Sequence, residues 1–164
     1  SILTHRSTKA GKSMPALIQN GAQTRTAGMV NLHSLINTVA MMEMIKKFPA
    51  EDIIVTINPQ LFEWVIENLC KNAVDAMGGE GLITLTLEQM TNKVVIEVAD
   101  TGKGIKKKNL GNVFKPGFTT KSRGWGLGLS LAKRIIEEYH KGRIFVKSSE
   151  IGKGTTFRIE IYNR

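Results

Sequence analysis

Three polar side chains recur at helical spacing in the middle of this 164-residue chain. Asn68, Asn72 and Asp75 are separated by four and three positions, so on a helix they project within roughly 40° of one another. The opposite side of the segment is apolar, with Phe62, Ile66, Leu69, Ala73 and Met77. Amide oxygens are suitable ligands for a Mg²⁺ ion whose other ligands are phosphates and water. The pattern fits such a site, although a solvated helix face shows the same spacing.

A carboxylate followed by two glycines forms a second candidate. Asp100 ends a β-branched run and precedes Thr101, Gly102, Lys103 and Gly104. A strand end presents the carboxylate, and the glycines allow the backbone to approach a ligand closely. A buried carboxylate accepts hydrogen bonds and suits an exocyclic amine, while an ordinary Asp-Thr-Gly turn is the alternative interpretation.

A glycine-rich segment, Gly124 to Leu129, opens a predicted helix. Backbone N–H groups at a helix N-terminus bind anions and are reinforced by the helix dipole, so phosphate is the expected ligand. The spacing is not the dinucleotide fingerprint, because a basic loop precedes it in place of a strand. Gly11-Lys12-Ser13 is not a P-loop, because Arg6 occupies the position of the required glycine.

The net charge of +9 is unevenly placed, since residues 101–136 contain no Asp or Glu. Nucleic acid, an anionic membrane surface or a polyphosphate could each be the partner of such a charge. No apolar run approaches the roughly 18 residues of a membrane span, and no signal peptide is visible, so we expect no membrane contact for this segment and a cytoplasmic location. An anchor elsewhere in a longer protein stays open. The single cysteine, Cys70, is expected to be buried and inert.

The elements that would position these residues follow from periodicity and turn signals. Residues 1–29 are predicted to be a tail, a linker or the remnant of a preceding domain, and residues 30–164 one domain. Helices are predicted over 31–47, 59–77 and 125–139. Strands are predicted over 52–57, 82–88, 94–99, 143–148 and 155–162, with the second and third forming a hairpin. Residues 102–124 are too rich in glycine, lysine and threonine for a regular element, and we expect a mobile lid there, closing over its ligand on Phe114 and Phe118.

In order and spacing, these segments resemble the signature boxes of the ATPase superfamily that contains DNA gyrase, the Hsp90 chaperones, MutL and the histidine kinases (GHKL, or Bergerat fold). The resemblance covers residues 30–162. The matching segments are Asn68 to Ala73 (N box), Asp100 to Gly104 (G1 box), Phe114 to Lys121 (F box), Gly124 to Leu129 (G2 box) and Gly152 to Phe157.

This resemblance implies an α+β fold, a two-layer α/β sandwich whose mixed, mostly antiparallel sheet is covered by helices on one face. It implies that Asn72 coordinates Mg²⁺, that Asp100 hydrogen-bonds the adenine amino group, and that the backbone from Gly126 to Leu129 holds the phosphates of ATP. The full set of nucleotide-binding residues expected on this basis is Asn68, Asn72, Asp75, Asp100, Gly102, Gly104, Ile105, Thr119, Lys121, Gly124, Gly126, Leu127, Gly128, Leu129 and Thr155.

Hydrolytic members of the superfamily carry a glutamate four residues before the magnesium-binding asparagine, where this chain has Asn68. An amide cannot accept a proton from water at neutral pH, so Asn68 is a candidate for positioning only. The resemblance therefore favours a histidine kinase that transfers the γ-phosphate of ATP to a histidine on a separate dimerisation domain, with a response regulator as the further partner. None of His5, His33 and His140 suits the role of phospho-acceptor, and we expect structural or surface roles for them.

Three alternatives stay open at this point. An ATP hydrolase and a protein-serine kinase belong to the same superfamily. A nucleic-acid-binding module would explain the charge alone, but stacking aromatics do not alternate with the basic residues, so no nucleic acid is expected. The chain departs from the family in having one strand, residues 52–57, before the N box where two are usual. The sheet edge is therefore expected to be supplied by residues 1–29 or to be missing.

Overall fold

The computed structural model describes residues 28–39, 44–118 and 128–162. Within these ranges the elements are β1 (Gly28–Asn31), α1 (Leu32–Val39), β2 (Ile45–Lys47), β3 (Ile54–Ile57), α2 (Pro59–Met77), β4 (Ile83–Gln89), β5 (Lys93–Asp100), α3 (Gly128–Lys133), β6 (Arg143–Glu150) and β7 (Gly154–Tyr162). A 3₁₀ turn covers Lys107–Asn109, and α3 continues as a π-helix over Arg134–Tyr139.

Five of the described strands form one sheet in the order β2-β4-β5-β7-β6. The strand β2 lies parallel to β4, and the other neighbouring pairs are antiparallel. Residues 90–92 join β4 to β5, with Ile83 opposite Asp100 at the open end of the hairpin. The predicted hairpin and the mixed, mostly antiparallel sheet are confirmed.

The helices cover one face of this sheet because every second strand residue is apolar and points toward them. The buried strand residues on that face are Ile83, Leu85, Leu87, Val94, Ile96, Val98, Ile144, Phe157, Ile159 and Ile161. The helix α2 packs against them with seven buried residues, namely Leu61, Phe62, Val65, Ile66, Leu69, Cys70 and Ala73. The predicted separation of an apolar and a polar side on this helix is thus observed, and Cys70 is buried.

On the opposite face of the sheet, charged side chains pair across the strands. Arg158 Nη1 lies 3.3 Å from Glu97 Oε2, and Lys93 Nζ lies 3.1 Å from Glu160 Oε2. Burial by itself would raise the pKa of Glu160, but hydrogen bonds from Lys93, Tyr162 and Arg158 outweigh it and lower that pKa. This face is therefore held by ion pairs, while the core lies between the sheet and the helices.

Both ends of α2 are capped by the residues that the sequence places there. The side-chain oxygen of Asn58 accepts a hydrogen bond from the Leu61 N–H at 3.1 Å, and Pro59 occupies the first helical turn. At the other end Gly78 adopts the left-handed conformation, with φ of 66°, and its N–H donates to the Asp75 carbonyl. Asparagine at the N-cap and glycine at the C-terminal end are the residues these positions favour.

The predicted helix over residues 31–47 is wrong for residues 44–47. Helix α1 is described over Leu32–Val39, residues 40–43 lie outside the described residues, and Ile45–Lys47 form the edge strand β2, paired with Thr84–Thr86 of β4. The sequence predicts that this edge of the sheet is supplied by residues 1–29 or is missing. That prediction is also wrong, because β2 forms the edge. Residues Gly28–Asn31 instead pair with β3 in a separate two-stranded sheet. A three-residue edge strand with two lysines has no periodicity of its own, so helical spacing in the preceding residues masked it.

The C-terminal elements agree with the prediction. Strands β6 and β7 extend the predicted ranges by one or two residues, and α3 is described from Gly128 onward, so residues 125–127 of the predicted helix lie outside the described residues. No helix in the described ranges combines the length and apolarity that crossing a membrane would take.

Replacing Asn58 by alanine should lower the stability of the fold. The substitution removes the acceptor that caps α2, a loss that typically costs about 0.5 to 2 kcal/mol. Chemical denaturation followed by circular dichroism measures the change, with Asn58→Asp as the matched control because it keeps an oxygen at the cap. Equal stability of Asn58→Ala and the parent chain would contradict this assignment of the cap.

Candidate functional site

Asp100 lies at the end of β5, where it is held by two backbone N–H groups. Its Oδ1 accepts from Gly102 at 2.8 Å and from Thr155 at 3.3 Å. No described residue donates a hydrogen bond to its other oxygen, Oδ2. Burial raises the pKa of Asp100, although both N–H groups act in the opposite direction. The geometry leaves one carboxylate oxygen free to accept a hydrogen bond from a ligand.

A hydroxyl network extends from this carboxylate to the loop that follows it. Ser149 Oγ accepts from the Ile105 N–H at 2.8 Å and lies 2.8 Å from Thr155 Oγ1. Thr155 is almost fully buried. The predicted residues Asp100, Ile105 and Thr155 are therefore brought together, and Ser149 joins them. Sequence reasoning missed Ser149 because a serine near a strand end carries no specific signal.

The glycines of the G1 segment are held against the protein's own backbone. A Cβ on Gly102 would lie 2.6 Å from the Ala76 carbonyl oxygen, and one on Gly104, at φ of +78°, would collide with the Glu150 carbonyl. Hydrogen bonds fix the same loop on both sides, from Lys103 N to Ala76 O at 2.9 Å and from Gly152 N to Lys103 O at 2.9 Å. The loop thus lies between the end of α2 and the β6–β7 turn. Gly102 and Gly104 are needed there because a side chain would collide with this backbone.

A second part of the candidate site lies two helical turns earlier on α2. A Cβ on Gly128, the first residue of α3, would lie 2.6 Å from Asn68 Oδ1, so the two helices touch there. Asn68 Nδ2 is buried and has no hydrogen-bond partner among the described residues. Such an orphaned donor is costly unless a ligand or water accepts from it.

The remaining N-box residues occupy less enclosed positions. Asn72 is half-buried one turn after Asn68, and Asp75 is exposed. From Asn68 to Ala76 the helix rises about 12 Å, at 1.5 Å per residue. An elongated ligand along α2 could therefore reach both the amide at one end and the Asp100 carboxylate at the other.

Part of the predicted site cannot be placed. Thr119, Lys121, Gly124, Gly126 and Leu127 lie outside the described residues. Leu129 belongs to α3 and packs against the core.

The first half of the predicted lid is attached to the core. Residues 106–118 form successive turns, and Phe114 packs edge-on against Phe157 at 6.0 Å with Lys133 Nζ 5.4 Å from its ring centre. Val113 is buried, while Lys106, Lys107 and Lys108 are exposed. Phe114 thus holds this part of the predicted lid against the core. The expected ordering of the lid by nucleotide stays a prediction.

Two histidines make hydrogen bonds inside the domain, in agreement with their predicted structural roles. His33 Nε2 lies 3.0 Å from the Pro49 carbonyl oxygen. His140 Nδ1 lies 2.8 Å from the Ile135 carbonyl oxygen, and its Nε2 lies 3.0 Å from the Asn58 backbone nitrogen. His5 lies outside the described residues.

Comparison with known proteins identifies the class to which this fold and site belong. Residues 57–163 match the model of the family described as histidine kinase-, DNA gyrase B-, and HSP90-like ATPase. The chain belongs to this family of ATPases, and ATP binding by the domain follows from that membership. The expected fold class is also confirmed, since the catalytic domain of histidine kinase ThkA superposes with a TM-score of 0.76 at 33% identity, covering 84% of this chain and 95% of that one.

The curated relatives are kinases. The sensor histidine kinase ZraS of Escherichia coli K12 is 39% identical over 140 residues, which is 79% of this chain and 30% of ZraS. Sporulation kinase E of Bacillus subtilis is 35% identical over 138 residues, which is 83% of this chain and 18% of that kinase. The chain thus spans less than a third of the length of either relative.

Replacing Asp100 by asparagine should weaken ATP binding and at the same time stabilise the empty domain at neutral pH. The amide can still accept from Gly102 and Thr155, but it can present a donor to the adenine amine, a mismatch worth about 1 to 3 kcal/mol. Burial raises the pKa of Asp100 in the folded state above its ordinary 3.8. Between pH 3.8 and this raised pKa, the folded state therefore binds more protons than the unfolded state. The free energy of unfolding falls as pH rises through this range, and above it the ionised carboxylate still destabilises the fold.

Calorimetry with ATP and inorganic triphosphate, together with thermal unfolding at pH 7, measures both effects. Triphosphate is the control ligand, because it lacks the base. Equal losses of affinity for the two ligands, or a lower melting temperature of Asp100→Asn, would contradict this role.

Proposed function

We propose that this chain is the catalytic domain of a sensor histidine kinase. It binds Mg-ATP and donates the γ-phosphate to a histidine on a separate dimerisation domain, and a response regulator is the further partner. The observation that carries the proposal is the side chain of Asn68, which is directed at the first residue of α3 with its Nδ2 buried, where a hydrolase of this superfamily has a glutamate.

The amide excludes one reaction and suits another. It cannot take a proton from water at neutral pH, so it does not activate water for hydrolysis. Its unpartnered Nδ2 can donate to a phosphate oxygen, which helps to position the γ-phosphate for an attacking imidazole supplied by another domain. Positioning and charge neutralisation are the main contributions of a protein to phosphoryl transfer.

The same helix face supplies the ligand expected for Mg²⁺. Asn72 is half-buried and lies one turn after Asn68 on the polar side of α2, and an amide oxygen is a suitable ligand for this ion. The unsatisfied amide beside it supports a polar ligand at this place. Bound Mg²⁺ would neutralise charge on the β- and γ-phosphates.

The adenine end has its own set of residues. Asp100 would accept from the amino group through Oδ2, while Gly102, Ile105 and Thr155 hold the carboxylate and its loop in place. Asp75, Gly104, Leu129 and the residues outside the described ranges, Thr119, Lys121, Gly124, Gly126 and Leu127, complete the proposed nucleotide contacts. The side chains of Thr119 and Lys121 would lie beside the triphosphate.

The relatives support the proposed partners. ThkA has been solved in complex with the response regulator TrrA, and this chain is similar to that ThkA with a TM-score of 0.73 at 27% identity, covering 92% of this chain and 47% of that one. The acceptor histidine would come from outside the domain, because His33 and His140 are both engaged within it. A cytoplasmic location belongs to the same proposal, since the domain would meet ATP and a response regulator there.

Replacing Asn72 by alanine should abolish Mg-dependent ATP binding and leave the fold nearly unchanged, since Asn72 lies on the ligand side of α2. Calorimetric titration with ATP, with and without Mg²⁺, measures the effect. Lys71→Ala is the matched control, because Lys71 is an exposed neighbour on the same helix. Unchanged affinity for Mg-ATP in a folded Asn72→Ala variant would remove this residue from the metal site.

Phosphotransfer itself is tested by mixing the chain and labelled Mg-ATP with a separately purified dimerisation domain that carries one histidine. Transfer should give an acid-labile phosphoryl group on that domain, while phosphate release by the chain alone stays slow. Phosphate release at enzyme-like rates, of about 1 s⁻¹ or more, would instead indicate a hydrolase, and an acid-stable phosphoryl group would indicate a serine kinase.

A further inference from the structure

His140 joins the end of the π-helix to the start of α2. Its Nε2 faces the backbone N–H of Asn58 at 3.0 Å, and its Nδ1 faces the Ile135 carbonyl at 2.8 Å. A carbonyl can only accept, and a backbone N–H can only donate. The imidazole must therefore be neutral, with its proton on Nδ1 and a free lone pair on Nε2.

This hydrogen bond lies at one end of the contact between α2 and α3 with its π-helical continuation, which also includes buried apolar residues of both. At the other end, Gly128 at the start of α3 touches Asn68. At the end with the hydrogen bond, the His140 ring packs edge-on against Phe62 with centroids 6.0 Å apart and accepts from Asn58. The helices thus run antiparallel, with the start of α3 beside the middle of α2 and the end of the π-helix beside the start of α2.

We propose that His140 is a positioning residue for Mg-ATP binding, which fixes the angle between α2 and α3 through Asn58 and loses this effect when its imidazole is protonated. This inference rests on the proposed nucleotide site, because α2 carries Asn68 and Asn72. From Asn58 to Asn72 the helix rises about 21 Å, so a tilt of about 3° at its start moves Asn72 by about 1 Å. A displacement of that size in a positioning group is enough to affect ligand geometry.

Protonation removes the contact because an imidazolium has two donors and no acceptor. The Asn58 N–H would then face a second N–H in a nearly closed environment, since Asn58 is only 4% exposed. Burial lowers the pKa of His140 below its ordinary 6.5, against the opposing effect of the Ile135 carbonyl. The contact is therefore complete above pH 6.5 and is lost as pH falls through the lowered pKa.

The charged groups near His140 are engaged elsewhere. On the helix, Glu137 Oε1 lies 3.9 Å from Lys133 Nζ, and Glu138 Oε1 lies 3.8 Å from Arg134 Nε. On β6, Arg143 pairs with Glu160 at 3.5 Å. The remaining nearby charges are Lys141, next in the chain, and Glu63 on α2, which has an interaction of its own. The partners of the ring are thus the Asn58 and Ile135 backbones and the Phe62 ring.

Two substitutions separate the hydrogen bond from the packing of the ring. In His140→Gln the side-chain carbonyl can stand where Nε2 stands and accept from Asn58, and it does not titrate. In His140→Phe a ring remains against Phe62, but the acceptor is gone. The titrations of Asp100 and of ATP itself are the same in all three proteins, so they cancel in the comparison.

The test is the Kd for Mg-ATP at pH 7.5 and at a pH below the pKa of His140, which the ¹⁵N chemical shifts of its ring give, measured by calorimetry on the folded 164-residue proteins. We expect His140→Gln to bind like the parent chain at pH 7.5 and about fivefold more tightly than the parent at the lower pH, within the usual range of coupling between sites. His140→Phe should bind about fivefold more weakly than the parent at pH 7.5. Identical pH profiles of the parent chain and His140→Gln would overturn the proposal.

A measurement on the parent chain alone gives the reciprocal test. If neutral His140 favours nucleotide binding, saturating Mg-ATP must lower the pKa of His140, as followed by the ¹⁵N chemical shifts of its ring. An unchanged pKa would overturn the coupling while leaving the kinase assignment intact. If the parent chain does not bind Mg-ATP at pH 7.5, the proposed function itself fails, together with the role of His140.

Discussion

The packing of α2 is the constraint on which the rest of the domain depends, because one helix has to serve both the core and the ligand. Its apolar side contributes seven buried residues to the core, while Asn68 and Asn72 face the other way. The C-terminal end of the same helix holds the loop after Asp100 through the Ala76 carbonyl. Both ends of the proposed nucleotide site are therefore positioned by this one helix, so we expect its caps and its contacts with α3 to affect binding.

The residues of the site are held in ways that cost stability. The half-buried Asp100 carboxylate has a raised pKa, Asn68 Nδ2 has no hydrogen-bond partner among the described residues, and Gly154 adopts φ of +129° in a place where a Cβ would meet the Asp100 carbonyl. Groups that are unsatisfied in the empty protein are available to a ligand without first breaking other interactions. The domain thus combines a well-packed sheet with a site that nucleotide binding is expected to stabilise.

Much of the fold could be predicted from the sequence, because the signals were local. Helix α2 and the β4–β5 hairpin follow from periodicity, from Asn58 and Pro59 at one end and from Gly78 at the other. The family boxes indicated Asp100 and Asn72 as candidate site residues, and their roles toward the nucleotide stay predictions. Strand β2 could not be predicted, because three residues without alternation form a strand only when β4 is beside them. Two contacts could not be predicted for a similar reason. Ser149 bonds to Ile105, 44 residues earlier, and His140 bonds to Asn58, 82 residues earlier.

A structure of this domain with Mg²⁺ and a non-hydrolysable ATP analogue tests the account most directly. It should place the adenine amino group within about 3 Å of Asp100 Oδ2, a phosphate oxygen within the same distance of Asn68 Nδ2, and the metal on the Asn72 amide oxygen. Binding of the base elsewhere, or a triphosphate that does not approach Asn68 and Gly128, would contradict the central claim that α2 positions both ends of the nucleotide.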